Sequence, residues 1–421
     1  MSHWICPLMD IFGDRTRLYW VESLGAKTCP GPAAHSNIKP ELAPELINMP
    51  TVRMYSMTSF PETPEQITAA WLTNIFRSRG TLTAHQQVKN VTLKPIGEIV
   101  GVVGEVARFE LAYEPSGAGP ASVVIKFAHR NPENRAIANN TKMYEREVRF
   151  FNEIAQHIDT PLTTCHFAAM NQDTGANIVV LEDLRAYRVG DQVTGITLEQ
   201  SQRVVDTLAP LHARFFDRWQ TEFDDMLTIA SDDYIEPFLP GFLGSWEAAM
   251  TNFPACFDNP LGAAMPEYAA GLRPLMKAMG DGPMTFIHGD ARMDNAMFGD
   301  PSLGQHHVVM IDWQNMMISN PLQDLAWMTT SSLTTASRRA HESDLLAYYH
   351  HALSERGVTN FSLADVTERY DLAVLFILNF HLIIAGAFVP TTERARKMAE
   401  EGVSRAVQAV LDRQLIDRII L

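Results

Sequence analysis

Apolar and polar positions follow no regular period in the N-terminal part of the chain. Residues 1–56 contain six prolines and show neither a helical nor an alternating period, so a weakly structured N-terminal extension is expected. At Thr63-Pro64-Glu65-Gln66 a capping hydroxyl, a proline and a capping-box glutamine precede apolar residues at helical spacing up to Gly80. Folding is therefore predicted to begin near Phe60. Met57 is an alternative start, which N-terminal sequencing of the native protein would test.

The pattern then changes from short strands to helices. The elements predicted first are a strand, a glycine-bearing turn and a strand over 91–111, a strand over 122–127, a helix over 140–157 and a strand over 178–181. The rest reads as mainly helical, beginning with an amphipathic helix over 198–218 and interrupted by strand pairs near 284–288 and 308–311. This order predicts an α+β fold in which a small β-rich lobe (57–184) precedes a larger, mainly helical lobe (185–421).

One apolar run has nearly the length of a membrane span. Residues 372–390 approach the roughly 20 residues that cross a bilayer, but Asn379 and His381 interrupt the run and Pro390 ends it. A buried core helix is therefore expected, with no membrane partner.

Composition and charge narrow the class of protein. The chain is 46% hydrophobic and 20% charged, as globular proteins are, and its net charge of −15 argues against nucleic acid or an anionic membrane as a partner. The N-terminus lacks the pattern of a secretory signal. Because the cysteines are scattered, without the spacing of a zinc site or a disulfide framework, a cytoplasmic location is expected. They are Cys6, Cys29, Cys165 and Cys256.

The most informative polar residues follow the two late strand signals. Asp290 and Asn295 are five residues apart (295 − 290), and Asp312 follows the next apolar run. Phosphoryl transfer needs a carboxylate that orients the acceptor hydroxyl and oxygen ligands that hold a metal ion. The spacing of five resembles that at which a kinase catalytic loop places its base and a metal-binding amide, and Asp312 lies where a second metal ligand is expected. Asp290 is the predicted catalytic base, and Asn295 and Asp312 are the predicted ligands of Mg²⁺.

Phosphate binding also needs a cation and a close approach of backbone N–H groups. Lys126, on the strand over 122–127, is predicted to contact the phosphates of ATP, and Glu147 on the following helix is predicted to fix its position. Gly101 and Gly104 lie in a turn before Lys126, where backbone N–H groups could approach the phosphates. The same glycines could instead serve only a tight hairpin.

Glu182-Asp183-Leu184 ends an apolar strand at the junction of the two lobes. Backbone groups there could bond the edge of an adenine, or the side chains could simply cap the next segment.

Several other polar residues have two interpretations. His288 is expected to hold the catalytic loop by hydrogen bonds, and His212 to be a core histidine. Asp324 could brace that loop or act as a carboxylate at a helix N-terminus. Arg292 and Asp294 could meet substrate or each other.

These residues resemble the small-molecule kinases of the aminoglycoside phosphotransferase and choline kinase superfamily, which share the protein-kinase-like fold. The resemblance extends from about Thr63 to the C-terminal helices, and Asp312-Trp313-Gln314 and Gly190-Asp191-Gln192 are most similar to its ecdysteroid-kinase-like branch in bacterial form. It implies a bilobal fold, ATP as phosphoryl donor, Mg²⁺ held by Asn295 and Asp312, and Asp290 as the base. The motifs that carry it are Val124-Ile125-Lys126-Phe127, Tyr144-Glu145-Arg146-Glu147, Leu181-Glu182-Asp183-Leu184, Leu211-His212-Ala213, His288-Gly289-Asp290 and Ile311-Asp312.

The acceptor is less well defined by the sequence. The loop 292–295 is also similar to the kinase-like domain fused to acyl-CoA dehydrogenases, whose acceptors are hydroxyacyl thioesters, and Ala291 departs from the aromatic residue usual in both relatives. Aromatic residues between 238 and 257 form either core or the lining of an apolar acceptor site. A polycationic aminoglycoside would need clustered carboxylates, for which Asp224, Asp225, Asp232 and Asp233 are available.

The expected function is an ATP- and Mg²⁺-dependent phosphotransferase acting on a hydroxyl of a small, hydrophobic molecule. The alternatives are a hydroxyacyl-CoA or aminoglycoside kinase and a nucleotide-binding pseudokinase with a regulatory role. A protein kinase is disfavoured because no Asp-Phe-Gly and no activation segment occur between Asp312 and Pro321. The sequence leaves the identity of the acceptor and the oligomeric state open.

Overall fold

A computed structural model describes residues 59–96, 104–387 and 392–419. The predicted N-terminal extension, Met57 and Gly101 lie outside the described residues. Within them, five antiparallel strands form the sheet of the N-terminal lobe in the order β1-β2-β3-β5-β4. They are β1 (Gln87–Pro95), β2 (Gly104–Glu114), β3 (Ser122–Ala128), β4 (Cys165–Asn171) and β5 (Ala176–Glu182).

The helices α1 (Ala69–Ser78), α2 (Pro132–Asn140) and α3 (Met143–Arg149) complete this lobe, and α1 and α3 cover opposite faces of the sheet. Ile178 and Val180 of β5 pack with α1, while Val179 and Leu181 pack with α3. Because neither face of β5 meets water, its sequence is a continuous apolar run rather than an alternating one.

The first predicted helix begins later than the sequence indicates. The capping box of Thr63 and Gln66 closes only a 3₁₀ turn, Pro64–Gln66, after which Ile67 is extended (ψ 121°) and buried. A second cap, the hydroxyl of Thr68, accepts the Trp71 N–H and starts α1. Burial of Ile67 therefore divides what the sequence presents as one helix.

The helix predicted over 140–157 is also divided. Residue 140 ends α2, and Lys142 adopts a left-handed backbone (φ 56°) before α3 begins. Beyond Arg149 the chain continues as a π-helical segment, Phe150–Ile154, and a 3₁₀ turn, Ala155–His157.

The C-terminal lobe is mainly helical. Its first helices are α4 (Leu198–Phe215), α5 (Gln220–Phe223), α6 (Asp232–Leu243), α7 (Trp246–Asn252), α8 (Pro260–Ala263) and α9 (Met265–Met279). Its last helices are α10 (Leu322–Ser332), α11 (Thr335–Glu355), α12 (Leu363–Ala387) and α13 (Glu393–Asp412). With the N-terminal sheet, they give the α+β architecture of a small β-rich lobe and a larger helical lobe.

Short strands at the interlobe side of this lobe carry the candidate site. β7 pairs with β10, and β8 lies between β6 and β9. The two predicted strand signals near 284–288 and 308–311 therefore form strands that do not pair with each other. The strands are β6 (Arg188–Val189), β7 (Thr285–Ile287), β8 (Ala296–Phe298), β9 (Val308–Met310) and β10 (Met317–Ser319).

Residues 372–387 of the predicted apolar run belong to α12. This is the one helix in the described ranges that is long and apolar enough to cross a membrane by length and composition, and 72% of its most apolar window is buried inside the protein. It packs against α7, α9, α10 and α13. Its position is that of a core helix of the C-terminal lobe.

Candidate active site

The loop that follows β7 is held against the segment that follows β9. Gly289 has a left-handed backbone (φ 81°), and a Cβ there would lie 2.2 Å from the carbonyl oxygen of Asn315. Only glycine allows both the dihedral angle and this approach. The loop is thereby placed so that Asp290 and Asp312 lie in the same region.

Asp324, in the first turn of α10, braces this loop. Its carboxylate accepts the backbone N–H groups of His288 (2.7 Å) and Gly289 (2.8 Å), and it contacts His212 Nε2 at 3.2 Å. Burial raises the pKa of Asp324, but the hydrogen bond and charge of His212, with the donors of the loop, outweigh it and hold the pKa below its usual range. Asp324 therefore both braces the loop and provides a carboxylate at the N-terminus of α10.

The histidines behave as the sequence predicts. His212 is buried in the core, where its Nδ1 lies 2.8 Å from the hydroxyl of Tyr349. His288 Nε2 lies 2.9 Å from the carbonyl oxygen of Ile311, so it ties the loop to the strand that leads into Asp312.

Asp290 is buried at the centre of the loop. The indole Nε1 of Trp327 donates to its Oδ1, and an Arg292 guanidinium nitrogen lies 3.3 Å from its Oδ2. Burial raises the pKa of Asp290 above its ordinary value, against the lowering effect of Arg292. Asn295 Nδ2 donates to the Asp290 carbonyl oxygen (3.0 Å).

Lys126 joins the two lobes. It pairs with Val179 across the sheet, and since directly opposite residues share a face, its side chain lies on the side covered by α3. Its Nζ lies 2.6 Å from Glu147 Oε1 and 2.7 Å from Asp312 Oδ1. Burial alone would lower the pKa of Lys126, but the charges of Asp312 and Glu147 raise it well above its usual range. In turn, Lys126 overcomes the effect of burial on Asp312 and lowers the pKa of that carboxyl.

A second set of contacts fastens α3 to the chain after Asp312. The ring of Trp313 stacks on Phe150 with centroids 3.8 Å apart and an interplanar angle of 7°. Arg146 Nη1 donates to the carbonyl oxygen of Asn315 at 3.1 Å. No local pattern in the sequence indicates these contacts.

In the segment between the lobes, residues 182–184, the side chain of Asp183 makes hydrogen bonds within the protein. Asp183 accepts from Arg108 (2.7 Å), Ser122 (2.7 Å) and the backbone N–H of Arg185 (3.1 Å). The capping interpretation therefore describes this side chain.

The backbone N–H and C=O groups of the same segment are only partly hydrogen-bonded within the protein. Glu182 N–H donates to Thr164, and the carbonyl of Leu184 accepts from Tyr187, but within the described residues the Leu184 N–H makes no hydrogen bond. A backbone contact to an adenine edge through Leu184 stays a prediction.

Gly104 lies in a strand rather than in a turn. It is the first residue of β2 and pairs with Ala128, and a Cβ at this position would lie 3.0 Å from the carbonyl oxygen of Phe127. The turn that precedes it, with Gly101, is outside the described residues. The contribution of either glycine to phosphate binding stays a prediction.

Arg292 and Asp294 have different partners. Arg292 lies against Asp290, whereas Asp294 Oδ1 accepts the backbone N–H of Gln192 (3.1 Å) and lies 3.7 Å from Arg394. Asp294 thus connects the loop after β7 to the chain before α4 and to α13.

Two solved structures show a distant similarity to this chain. A microcompartment-associated aminopropanol kinase is 15% identical (TM-score 0.48), with 83% of this chain and 99% of that one covered. A Plasmodium vivax ethanolamine kinase is 10% identical (TM-score 0.42), with 80% of this chain and 87% of that one covered. Among curated proteins none gives a significant match. Residues 102–358 match the ecdysteroid kinase-like family, and the chain therefore belongs to that family.

Proposed function

We propose that the protein is an ATP- and Mg²⁺-dependent phosphotransferase that phosphorylates a hydroxyl of a small, hydrophobic molecule. The observation that carries this proposal is the position of Lys126, whose Nζ contacts Glu147 and Asp312 together. A cation from the small lobe is thereby held beside the carboxylate of the large lobe, near Asp290. In this proposal residues 57–184 bind the nucleotide, and residues 185–421 supply the base, the metal ligands and the acceptor site.

The donor set suits Mg²⁺. The amide nitrogen of Asn295 donates to the carbonyl oxygen of Asp290, so the amide oxygen of Asn295 remains available to a metal ion. Asp312 provides a carboxylate. No group of three or more His, Cys, Asp or Glu residues in the described ranges forms a metal site by itself. Mg²⁺ commonly takes one or two protein oxygens and completes its shell with phosphates and water, so a two-residue site is sufficient.

Each residue then has a defined task. Asp290, with its raised pKa, accepts the hydrogen bond of the acceptor hydroxyl and orients it toward the γ-phosphate. Lys126 contacts the α- and β-phosphates, and Glu147 keeps it in place. When bound, Mg²⁺ neutralises charge that develops on the phosphate oxygens. The Leu184 N–H is available to the adenine edge.

The acidic residues considered for an aminoglycoside are mostly paired within the protein. Three of the four lie next to a lysine or arginine, which already neutralises part of their charge. These pairs are Asp225–Arg149 (2.8 Å), Asp232–Lys277 (2.7 Å) and Asp233–Lys142 (3.5 Å). This favours an uncharged acceptor over an aminoglycoside.

A row of aromatic rings extends from the base toward the surface. Trp327, which donates to Asp290, lies 5.2 Å from Phe380, and Phe380 lies 5.3 Å from Phe238 (ring centroids). Phe238 and Phe380 are partly exposed, whereas Phe242 and Phe257 are buried in the core. The predicted aromatic stripe is thus mainly core, and the partly exposed rings of Phe238 and Phe380 support an apolar acceptor.

A screen of ADP production tests the proposal. Purified protein receives ATP and Mg²⁺ with sterols, hydroxyacyl-CoA thioesters, choline-like amino alcohols or aminoglycosides, and each product is examined by mass spectrometry for one added phosphoryl group. An apolar alcohol is expected to stimulate ADP release. A response to aminoglycosides alone would contradict the apolar acceptor, and nucleotide binding without any stimulation would favour the pseudokinase.

Asp290→Asn serves as the blank of this screen. A positioned base contributes about 10²–10⁴ in rate, so phosphoryl transfer should fall by that factor while the affinity for nucleotide changes little. Asp300→Asn alters an exposed aspartate and should behave as the wild type. Unchanged turnover in Asp290→Asn would refute the assignment of the base.

A cytoplasmic location remains part of the proposal. Cys165 and Cys256 are free thiols, as a reducing compartment would keep them.

A further inference from the structure

The carboxylate of Asp290 is contacted from both sides by buried groups that the proposed reaction does not use. Trp327 lies on α10, three residues after Asp324 and so on the same side of the helix. Its indole Nε1 donates to Asp290 Oδ1, while Arg292 lies 3.3 Å from Oδ2. α10 therefore holds the loop backbone through Asp324 and the reactive side chain through Trp327.

These contacts restrict the rotation of the carboxylate. The last torsion of an aspartate has a broad minimum, so an isolated carboxylate samples many orientations. The indole donor at Oδ1 and the guanidinium charge beside Oδ2 restrict its plane, and Oδ2, which accepts no hydrogen bond within the described residues, keeps its lone pairs for the acceptor hydroxyl. The indole is also a neutral donor and cannot accept a proton, so it orients the carboxylate without competing with it as a base.

We propose that Trp327 is a positioning residue, whose indole N–H fixes the plane of the Asp290 carboxylate for the acceptor hydroxyl. The proposal rests on the proposed function and adds to it the group that sets the direction of the base. Trp327 also packs against Phe380 and His381, with ring centroids 5.2 and 5.0 Å away. A purely structural role must therefore be separated from a positioning role.

The contact itself can be tested without activity. The chain has seven tryptophans, and Trp327→Phe assigns the Trp327 indole N–H signal in a ¹H–¹⁵N correlation spectrum. Asp290→Ala removes the acceptor and should move this signal more than the other indole signals, whereas Asp300→Asn should move none. An unmoved Trp327 signal in Asp290→Ala would overturn the proposal.

The kinetic test uses the acceptor found in the screen. Trp327→Phe keeps an aromatic ring and removes only the donor, so kcat should fall about 10-fold or more, as a misplaced base predicts. The KM values for ATP and acceptor should stay within about 2-fold. Tyr268→Phe, which removes a buried hydroxyl bonded to the Leu375 carbonyl, is the matched control for melting temperature and rate. An unchanged kcat would show that the indole N–H does not position Asp290. Changes in KM and melting temperature together with kcat would indicate a packing role alone.

A double variant separates an effect through Asp290 from an independent one. On the Asp290→Asn background, Trp327→Phe should cause no further loss of the residual rate, since the group that it orients is already altered. A loss as large as in the wild type would contradict the proposal. If the wild type phosphorylates no acceptor, the proposed function fails, while the indole signal still decides whether the contact exists.

Discussion

Lys126, the proposed contact of the phosphates, should also affect stability, because it is the shared counter-ion of two buried carboxylates. Glu147 and Asp312 both lie within 2.7 Å of its Nζ. Removing one partner of a buried pair leaves an uncompensated charge and costs about 3–5 kcal/mol. Lys126→Met should therefore lower the free energy of unfolding and weaken ATP binding together.

The double variant Lys126→Met/Glu147→Gln checks this cause. It removes one charge of each sign, so it should be more stable in urea unfolding than Lys126→Met, although it binds ATP no better. If both variants unfold at the same urea concentration, the ion pairs do not determine the loss.

Asp324→Asn should displace the loop that carries Asp290, the proposed base, without changing Asp290 itself. An amide group in place of one oxygen faces the His288 or Gly289 N–H with another donor, and an unsatisfied buried donor costs about 1–3 kcal/mol. We expect a lower melting temperature and a lower kcat. Asp417→Asn, at an exposed position, should show neither effect. Wild-type kcat in Asp324→Asn would show that the brace is dispensable.

The order of residues along the chain predicted that Glu147 pairs with Lys126, and the structure shows this pair. The additional contact of Lys126 with Asp312, which was predicted only as a metal ligand, comes from the structure. The partner of Asp290 could not be predicted in that way. The spacing of Asp324 and Trp327 shows only that they share one side of a helix. Whether Trp327 contacts the loop of Asp290 depends on how α10 packs in the C-terminal lobe, and a local sequence pattern does not determine that packing.

At the level of elements, α3 and its π-helical extension hold the segment after Asp312. Glu147 lies in α3, and Phe150 begins the π segment and stacks on Trp313. π-helical turns occur frequently at functional sites. The extension thus contacts the residue next to a proposed metal ligand.

Phe150→Ala tests this contact. Loss of a buried phenylalanine costs about 3–5 kcal/mol, and the released Trp313 should let Asp312 move, so the Mg²⁺ concentration needed for half-maximal rate should rise. Phe361→Ala removes a buried phenylalanine that packs on Phe216 (ring centroids 5.0 Å apart) and should lose stability with no change in Mg²⁺ requirement. Equal Mg²⁺ requirements in the two variants would contradict the coupling.

Element boundaries and pairings were predicted less well than the elements themselves. The caps at Thr63 and Thr68 both obey the same local chemistry, and only the burial of Ile67 decides which one starts a helix. Likewise β7 and β9 were each recognised as apolar runs. Three-residue strands carry no information about their partners, so the pairing of β7 with β10 was not foreseen.

On the scale of the whole molecule, the described residues form three main hydrophobic cores. Two lie on opposite faces of the N-terminal sheet, under α1 and under α3, and the largest fills the C-terminal lobe around α12 and includes Phe150 and Ile154. The ion pairs of Lys126 and the stack of Phe150 on Trp313 cross between the lobes. A ligand that binds both lobes should therefore stabilise the molecule against unfolding.

Thermal unfolding with a non-hydrolysable ATP analogue tests this arrangement and the metal site together. Ligand at about 100 times its Kd adds about 2.7 kcal/mol, which for a chain of this size raises the melting temperature by a few °C. Because Asn295 and Asp312 are the proposed metal ligands, Mg²⁺ should increase this shift and EDTA should remove the increase. Asp312→Ala should lose the metal-dependent part of the shift, whereas Asp300→Asn should keep it. If Mg²⁺ adds nothing to the effect of the nucleotide on the wild type, Asn295 and Asp312 are not its ligands.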